Sequence, residues 1–450
     1  LANTPESVPL QFIDDASSDE KVRKFLDELS DQYRNRVCVV RHHINYGFVK
    51  SVNDGLKRTS GDVIILNSDT QVPSHWVERL YSARTPNTGS VTPFSNAAAL
   101  LSFPSREGNN RDLIMSVPCE RIDQAFHGLN IKPELRHAPS GVGFCMLMMR
   151  KAIDKVGLFD EKAFGKGYGE EVDWCVRAFN HGFDNVIASD LFVAHYDGGS
   201  FTEQQKGMEA REHEKIFSLK HPDFHGRHYL RHFEKIEPYW ELVRNMAALR
   251  LFTQPEFKPL IVIGNHLTGG SADFLLRYDQ QIKRSIIYLR PLDHRLSIEV
   301  RYHEVQVVFE AENLELLFRR NLIISATDIF VNHFLKWELY FGDVYFSSST
   351  YYKFVNLLVD LKERTGAKVH FMFHDFFSVC PSYTLLNAND NFCFPDACTR
   401  KCKGCVARLN LDLGIFSVAD IDAWRKEASR FFAACDEIRF FSDNTKSIVT

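Results

Sequence analysis

Long apolar runs are missing from this 450-residue sequence. The most continuous stretches, such as Phe144 to Met149 and Leu322 to Ile324, fall far short of the roughly 20 residues a helix needs to cross a bilayer. The expectation is a soluble chain, or at most one with peripheral membrane association. Strong charge of one sign is missing too, since the formal net charge is −4 with 25% charged residues. No global field argues for nucleic acid, so an anionic ligand must be held locally. No basic segment followed by an apolar one precedes a cleavage site, and most of the ten cysteines lack the spacing of a disulfide framework. Both absences favour a reducing cytoplasm, extending to the inner face of the membrane. A starting Met is also absent and the sequence opens in mid-loop, so a fragment of a longer chain is expected. Neither a repeat of fixed period nor a low-complexity tract is found.

What is present is enough chain for two or three domains. In the first half, strand-like runs alternate with amphipathic helices: Leu10 to Ile13 reads as a strand, Lys21 to Leu29 as a helix capped from the preceding acidic turn, and Val37 to Arg41 as a strand. Phe48 to Arg58 then reads as a helix, Val63 to Leu66 as a strand and Trp76 to Ala83 as a helix. Such alternation predicts a mainly parallel α/β sheet with ligands at the carboxyl ends of its strands. Asp15, Asn45, Gly47 and Asp69 all fall at such ends.

Two segments carry most of the chemistry. In Gly61-Asp-Val-Ile-Ile-Leu-Asn-Ser-Asp-Thr70 a short buried strand runs out into the polar tip Asn67-Ser68-Asp69, where a carboxylate can hold a divalent cation. In Gly167-Tyr-Gly-Glu-Glu-Val-Asp-Trp-Cys-Val-Arg177 two adjacent carboxylates, Glu170 and Glu171, open a helical pattern, and either is a candidate general base. Asp173 and Arg177 read as a structural pair at i, i+4. Taken singly, Asp15 and Asp69 are equally readable as turn or capping residues, and Gly141-Val-Gly143 as a plain turn before a buried strand.

Beyond Glu203 the pattern turns helical and rich in His, with His221, His225, His228 and His232 at helix-like spacing. A shared metal face is conceivable there, but a solvated or inter-domain helix is the better reading. From about Pro255 a second α/β pattern begins with Leu260 to Ile263, followed by strands at Ser285 to Leu289, Val305 to Phe309, Ile329 to Asn332 and Val369 to Phe373. Cys393, Cys398, Cys402 and Cys405 lie within thirteen residues, and could close a structural Zn²⁺ shell or stand as unligated thiols in a loop.

In order and spacing, Ile13-Asp-Asp-Ala-Ser17, Asn45-Tyr-Gly-Phe48 with Asn53, Leu66-Asn-Ser-Asp69, Ser140-Gly-Val-Gly-Phe-Cys145, Gly157-Leu-Phe-Asp-Glu161, Glu170 to Arg177 and Ala194-His195 resemble the family 2 glycosyltransferases. The likeness is to the bacterial rhamnosyltransferase-like branch, which builds surface polysaccharides such as O-antigen. It implies a GT-A Rossmann-like fold over residues 8 to about 202, with a nucleotide-sugar donor and a saccharide or lipid-linked oligosaccharide acceptor. It also implies Asp15 on the nucleotide base, Asp69 and His195 on Mg²⁺ or Mn²⁺, and Gly141 and Gly143 beside the sugars. Asn45, Gly47 and Asn67 fall on the donor side, and Asn67 replaces an Asp that many relatives carry. Glu171 matches the family's base, with Glu170 in reserve. His266 to Ser271, Val331-Asn-His333, His374 to Pro381 and Phe441-Ser442 resemble the amino-terminal Rossmann-like half of a family 4, GT-B glycosyltransferase. The expected domains are thus 1–215 (GT-A), 216–255 (a helical linker) and 256–450 (a partial GT-B unit supplying an acceptor surface). Two other readings stand beside this one: a non-catalytic carbohydrate-binding scaffold, and a sugar nucleotidyltransferase. The latter would need a Gly-rich, basic loop near the first strand, which the sequence does not show.

Overall fold

The computed structural model describes residues 1–106, 110–196, 213–222, 233–264, 284–303, 305–332, 337–343, 347–373, 378–380, 402, 405, 421–440, 442, 443, 445 and 446. The chain divides into two compact units, Leu1–Arg244 and Asn245–Thr450. The division falls inside the stretch expected to be a linker, within the helix Glu237–Phe252.

In the first unit the strands are β1 (Leu10–Asp14), β2 (Val37–Arg41), β3 (Val63–Leu66), β4 (Thr70–Gln71), β5 (Thr88–Phe94), β6 (Cys145–Met148), β7 (Asp184–Phe192) and β8 (Ala194–His195). The helices are α1 (Glu20–Gln32), α2 (Phe48–Lys57), α3 (Trp76–Ser82), α4 (Arg111–Ser116), α5 (Cys119–Phe126), α6 (Arg150–Val156), α7 (Glu161–Phe164) and α8 (Glu170–Asn180). The acidic turn ahead of α1 acts as expected, because the Asp19 side chain caps the helix by accepting from the Lys21 N–H at 2.8 Å. The expected mainly parallel sheet is instead divided. β1 and β2 pair in parallel, whereas the central sheet has the order β3-β6-β5-β7, with β6 antiparallel to both neighbours and only β5–β7 parallel. The reversal comes from β6, which enters after a long excursion from β5 and fills the centre of the sheet, all four of its residues buried. β5 is buried along its whole length despite Pro93 in its interior, and the β5–β7 register shifts at Pro93/Phe94, which accommodates the missing donor.

The second unit is built on one seven-stranded sheet. Its strands are β9 (Leu260–Ile263), β10 (Ile286–Leu292), β11 (Arg295–Tyr302), β12 (Val305–Ala311), β13 (Asp328–Val331), β14 (Lys368–Phe373) and β15 (Glu437–Phe440), in the order β12-β11-β10-β9-β13-β14-β15. Strands β10, β9, β13, β14 and β15 run parallel, and β11 and β12 add an antiparallel edge. The accompanying helices are α9 (Glu237–Phe252), which starts in the first unit, α10 (Leu314–Arg319), α11 (Trp337–Tyr340), α12 (Ser348–Thr365) and α13 (Ile421–Ala434). α12 opens on a capping box between Ser347 and Thr350 and closes on Gly366 at φ 72°. β9, a fully buried apolar run, occupies the middle of the sheet, and β13 beside it is buried from Ile329 to Val331.

Candidate active site

The polar tip after β3 is drawn against the end of β7–β8 by a two-residue antiparallel ladder, Thr70 opposite His195 and Gln71 opposite Ala194. Tyr196 N–H donates to the Asp69 carbonyl at 2.8 Å, and Asn67 N–H to the Phe144 carbonyl at 2.8 Å. That short ladder brings together three residues 128 positions apart at the extremes: His195 Nε2 lies 3.3 Å from Asp69 Oδ1 and 3.4 Å from the Asn67 side-chain amide. His195 stacks on the Phe144 ring with centroids 5.3 Å apart, and its Nδ1 faces the Ala97 carbonyl at 3.4 Å. With the proton on Nδ1, the Nε2 lone pair points at a carboxylate oxygen. With the proton on Nε2, His195 instead donates to Asp69.

Asn96 fixes the His195 backbone from both sides, accepting from its N–H at 2.8 Å and donating to its carbonyl at 2.7 Å. Sequence reasoning missed Asn96. It follows β5 as Asp69 follows β3, and β5 carries Pro93, a residue that masks a strand in sequence.

A carboxylate, an imidazole and an amide suit Mg²⁺ or Mn²⁺, with the amide able to present its oxygen. Among the described residues no group of three or more His, Cys, Asp and Glu gathers as a metal shell.

Asp15 stands just past β1, and both its oxygens are used: Oδ1 meets His42 Nδ1 at 2.7 Å and accepts from Tyr46 N–H at 2.9 Å, while Oδ2 accepts from Gly47 N–H at 2.7 Å. Burial pushes its pKa up, but the hydrogen bonds from His42, Tyr46 and Gly47 outweigh burial and hold the carboxyl below its ordinary value. His42 reaches on to Asp54 Oδ2 at 3.2 Å, so it clamps the end of β2 to α2. Asn45 is exposed on the loop thus fixed. Gly47 has φ 89°, and a Cβ there would lie 2.6 Å from the Lys166 Cα, so only glycine fits. Asn53 is buried and structural, donating to the Phe159 carbonyl at 2.9 Å and accepting from the Phe159 N–H at 3.0 Å.

Glu170 and Glu171 open α8 after Gly169, which takes the left-handed conformation at φ 99°. Glu170 is 3% exposed. One carboxyl oxygen of each is buried without a hydrogen-bond partner among the described residues. Burial raises both pKa values, and the Glu171 charge pushes Glu170 the further. The two carboxyls are close enough to hydrogen-bond one another and titrate as a pair.

The Gly141-Val142-Gly143 turn runs between these two centres. Gly141 N–H donates to Cys175 Sγ on α8 at 3.1 Å, and Val142 N–H to Thr92 Oγ1 at 3.2 Å. A Cβ on Gly141 would sit 2.9 Å from Thr92 Oγ1, and one on Gly143 3.3 Å from the Phe48 ring. Burial pushes the Cys175 thiol up to about 12, which leaves it a packing group.

The Asp173–Arg177 pair forms at 2.8 Å and is part of a larger cluster. Asp173, fully buried, also meets Lys220 at 2.8 Å and His221 at 2.8 Å. His221 is therefore held against a buried carboxylate; His225, His228 and His232 lie outside the described residues. Cys402 and Cys405 are half-buried, and Cys402 Sγ accepts from Arg425 at 3.5 Å. Cys393 and Cys398 lie outside the described residues.

Residues 1–157 match the family described as Glycosyl transferase family 2. The matched part lies in the first unit, includes Asp15, Asp69 and the Gly141–Gly143 turn, and ends before Glu170. Similarity to solved structures extends to GalNAc-T7 with UDP, GalNAc and Mn²⁺ (15% identity, TM-score 0.34, 54% of this chain and 50% of that chain). It extends also to the mannosyltransferase PcManGT from Pyrobaculum calidifontis in complex with GDP-Man and Mn²⁺ (14% identity, TM-score 0.35, 54% of this chain and 64% of that chain). The chain spans half the length of the first and under two thirds of the second. No curated protein matches it. Among the described residues no helix is long and apolar enough to cross a membrane.

Proposed function

We propose that the first unit transfers a sugar from a nucleotide-sugar donor to a hydroxyl of a saccharide or lipid-linked acceptor, with inversion at the anomeric carbon. The family match over residues 1–157 supports the reaction class. The observation that carries the site is the convergence of Asp69 and His195 across the β4–β8 ladder, a cation-seeking pair at a strand end. Mg²⁺ or Mn²⁺ held by Asp69 and His195, with Asn67 beside them, supplies electrostatic stabilisation of the leaving diphosphate when bound. The chain's own groups do the rest. Glu171 takes the proton of the acceptor hydroxyl as its oxygen bonds to the anomeric carbon, while the bond from that carbon to the diphosphate oxygen breaks and its electron pair leaves with the nucleoside diphosphate. Glu170 stands beside Glu171 as the hydrogen-bonding partner of its carboxyl. Asp15 shapes the donor side by holding Tyr46 and Gly47 in place, and Gly141 and Gly143 let the backbone approach the sugars.

Calorimetry of UDP, dTDP and GDP binding with and without Mn²⁺ tests this reading. Binding should strengthen with Mn²⁺, and Asp69→Ala should abolish that dependence with the fold intact. Metal-linked binding unchanged in the variant would remove Asp69 from the site, and metal-independent binding with no donor turnover would make the unit a carbohydrate-binding scaffold.

A further inference from the structure

His195 is placed by the loop that follows β5. Beside the β4–β8 ladder its backbone N–H and carbonyl both go to the Asn96 amide, which accepts at 2.8 Å and donates at 2.7 Å. A primary amide here does the work of a third strand's peptide group, a role that needs a donor and an acceptor on one planar unit. Asn96 is 1% exposed, and its own carbonyl accepts from the Asn110 amide at 3.1 Å. The next residue, Ala97, presents its carbonyl to His195 Nδ1 at 3.4 Å. Residues 96 and 97 thus hold both the backbone of His195 and the ring nitrogen that does not face Asp69.

The loop itself is closed and gripped. Ser95 N–H donates to the Leu101 carbonyl at 3.1 Å, Phe103 N–H to the Ser95 carbonyl at 2.7 Å and Ala98 N–H to Ser102 Oγ at 2.9 Å. Arg244, on α9 and 5% exposed, donates through Nε to the Ser102 carbonyl at 2.8 Å and through Nη2 to the Leu100 carbonyl at 2.5 Å. Its carboxylate neighbour, Glu241, stands 3.9 Å away and is exposed, so the buried guanidinium is committed to the two loop carbonyls. A buried charge is unfavourable unless hydrogen-bonded, and what this one secures is the shape of the loop.

We infer that Asn96 and Arg244 are positioning residues for the Asp69–His195 end of the first unit, Asn96 by holding His195 directly and Arg244 by holding the loop that carries Asn96. The inference rests on the proposed role of Asp69 and His195 in holding a divalent cation. Neither residue is a ligand; both act through the place they give the imidazole. Removing a group that orients a metal-binding histidine weakens metal affinity about 10- to 100-fold.

The test uses the full chain and has one readout with metal and one without. Free Mn²⁺ is followed by electron paramagnetic resonance in the presence of UDP, dTDP and GDP in turn. Asn96→Ala should raise the Mn²⁺ dissociation constant about 10- to 100-fold and Arg244→Met severalfold, with nucleotide binding in the absence of metal unchanged. Ser90→Ala, which removes a buried hydrogen bond to Asn185 from β5, controls for general loosening: it should lower the unfolding midpoint and leave Mn²⁺ affinity unchanged. In metal-free protein labelled with ¹³C-histidine, the His195 ring resonance, assigned by its loss in His195→Gln, should shift or split in Asn96→Ala and Arg244→Met and stay in place in Ser90→Ala. Where either variant does not fold, Asn96→Ser and Arg244→Lys, each of which keeps a polar group, carry the same expectations at reduced size. A parent chain that binds no Mn²⁺ while the His195 resonance still moves in both variants would overturn the proposed cation role and leave the positioning of His195 standing. An unmoved His195 resonance, or an unchanged Mn²⁺ affinity in either variant of a parent that binds Mn²⁺, would overturn the inference.

Discussion

Replacing Glu171 by Gln removes a base while keeping its size, and the structure gives reasons to expect a large and specific loss. Glu170 and Glu171 stand together at the start of α8; burial raises both pKa values, and the Glu171 charge pushes Glu170 up further. Gln at 171 cannot accept a proton, so transfer loses general-base assistance, about 10²- to 10⁴-fold in kcat, or roughly 3–5 kcal/mol of barrier. Gln at 170 keeps a donor toward Glu171 and leaves the base in place, so it should cost tenfold or less on the same principle. The pH profiles separate the two further. Because burial raises the pair above ordinary carboxylates, the wild-type rate should fall on acidification at a pH above the usual carboxylate range, as Glu171 takes up its proton. Glu170→Gln should keep that acid limb, whereas the residual rate of Glu171→Gln should be flat across it. Release of nucleoside diphosphate from a panel of nucleotide sugars, followed at saturating donor between about pH 5 and 9, reads both quantities. A mild Glu171→Gln beside a crippled Glu170→Gln would refute the assignment of the base.

Two further outcomes test the scaffold around the pair. Gly47→Ala places a Cβ 2.6 Å from the Lys166 Cα at φ 89°, so it should cost about 1–2 kcal/mol for the backbone conformation alone and more for the clash, seen as a lower unfolding midpoint together with weaker nucleotide binding. Asp173→Asn should destabilise the first unit by about 3 kcal/mol at neutral pH, since it leaves Lys220, His221 and Arg177 around a group without charge. Burial raises the Asp173 pKa, but the bonds from Lys220, His221 and Arg177 prevail and lower it, so its stabilisation is present above the unfolded carboxylate value near 3.8 and is lost as pH falls below it. Melting curves should therefore show the gap between variant and parent closing in that acid range, and a gap independent of pH would argue for packing alone.

The sequence made the strand ends legible because each ends a short apolar run on a polar tip; Asp15, Asn67 and Asp69 stand where that pattern put them. It did not show what their side chains do. Both Asp15 oxygens turn back onto His42, Tyr46 and Gly47, and no spacing rule connects residue 15 to residue 42. The β4–β8 ladder, two residues on each side, is too short for periodicity to reveal, yet it is what joins Asp69 to His195. Conversely, Arg295-Leu-Ser-Ile-Glu-Val-Arg-Tyr302 alternates polar and apolar cleanly and is strand β11. It escaped a reading that looked for parallel crossovers, since it returns from β10 through a tight turn with Asp293 at φ 49° and none of the Asn-Gly chemistry that marks such turns. Spacing could not show the partner of His221 either, since Asp173 lies 48 residues earlier on another element.

The donor side and the acid pair are mechanically one construction. Asp15 holds the Gly47 N–H; the next amide, Phe48 N–H, donates to the Lys166 carbonyl at 2.9 Å; and Lys166 stands four residues before Glu170 on a segment with Gly165, Gly167 and Gly169 all at positive φ. From the other side, α2 holds the segment after α6 through Asn53 and the Phe159 backbone, and Asp160 is bound to Lys220, which also reaches Asp173. A glycine-rich segment of this kind has no conformation of its own to enforce, since glycine is as free at positive φ as at negative. Its path is set by these anchors at its two ends. Displacing the strand-end loop around Asp15 is therefore expected to shift the start of α8, because backbone hydrogen bonds join the two.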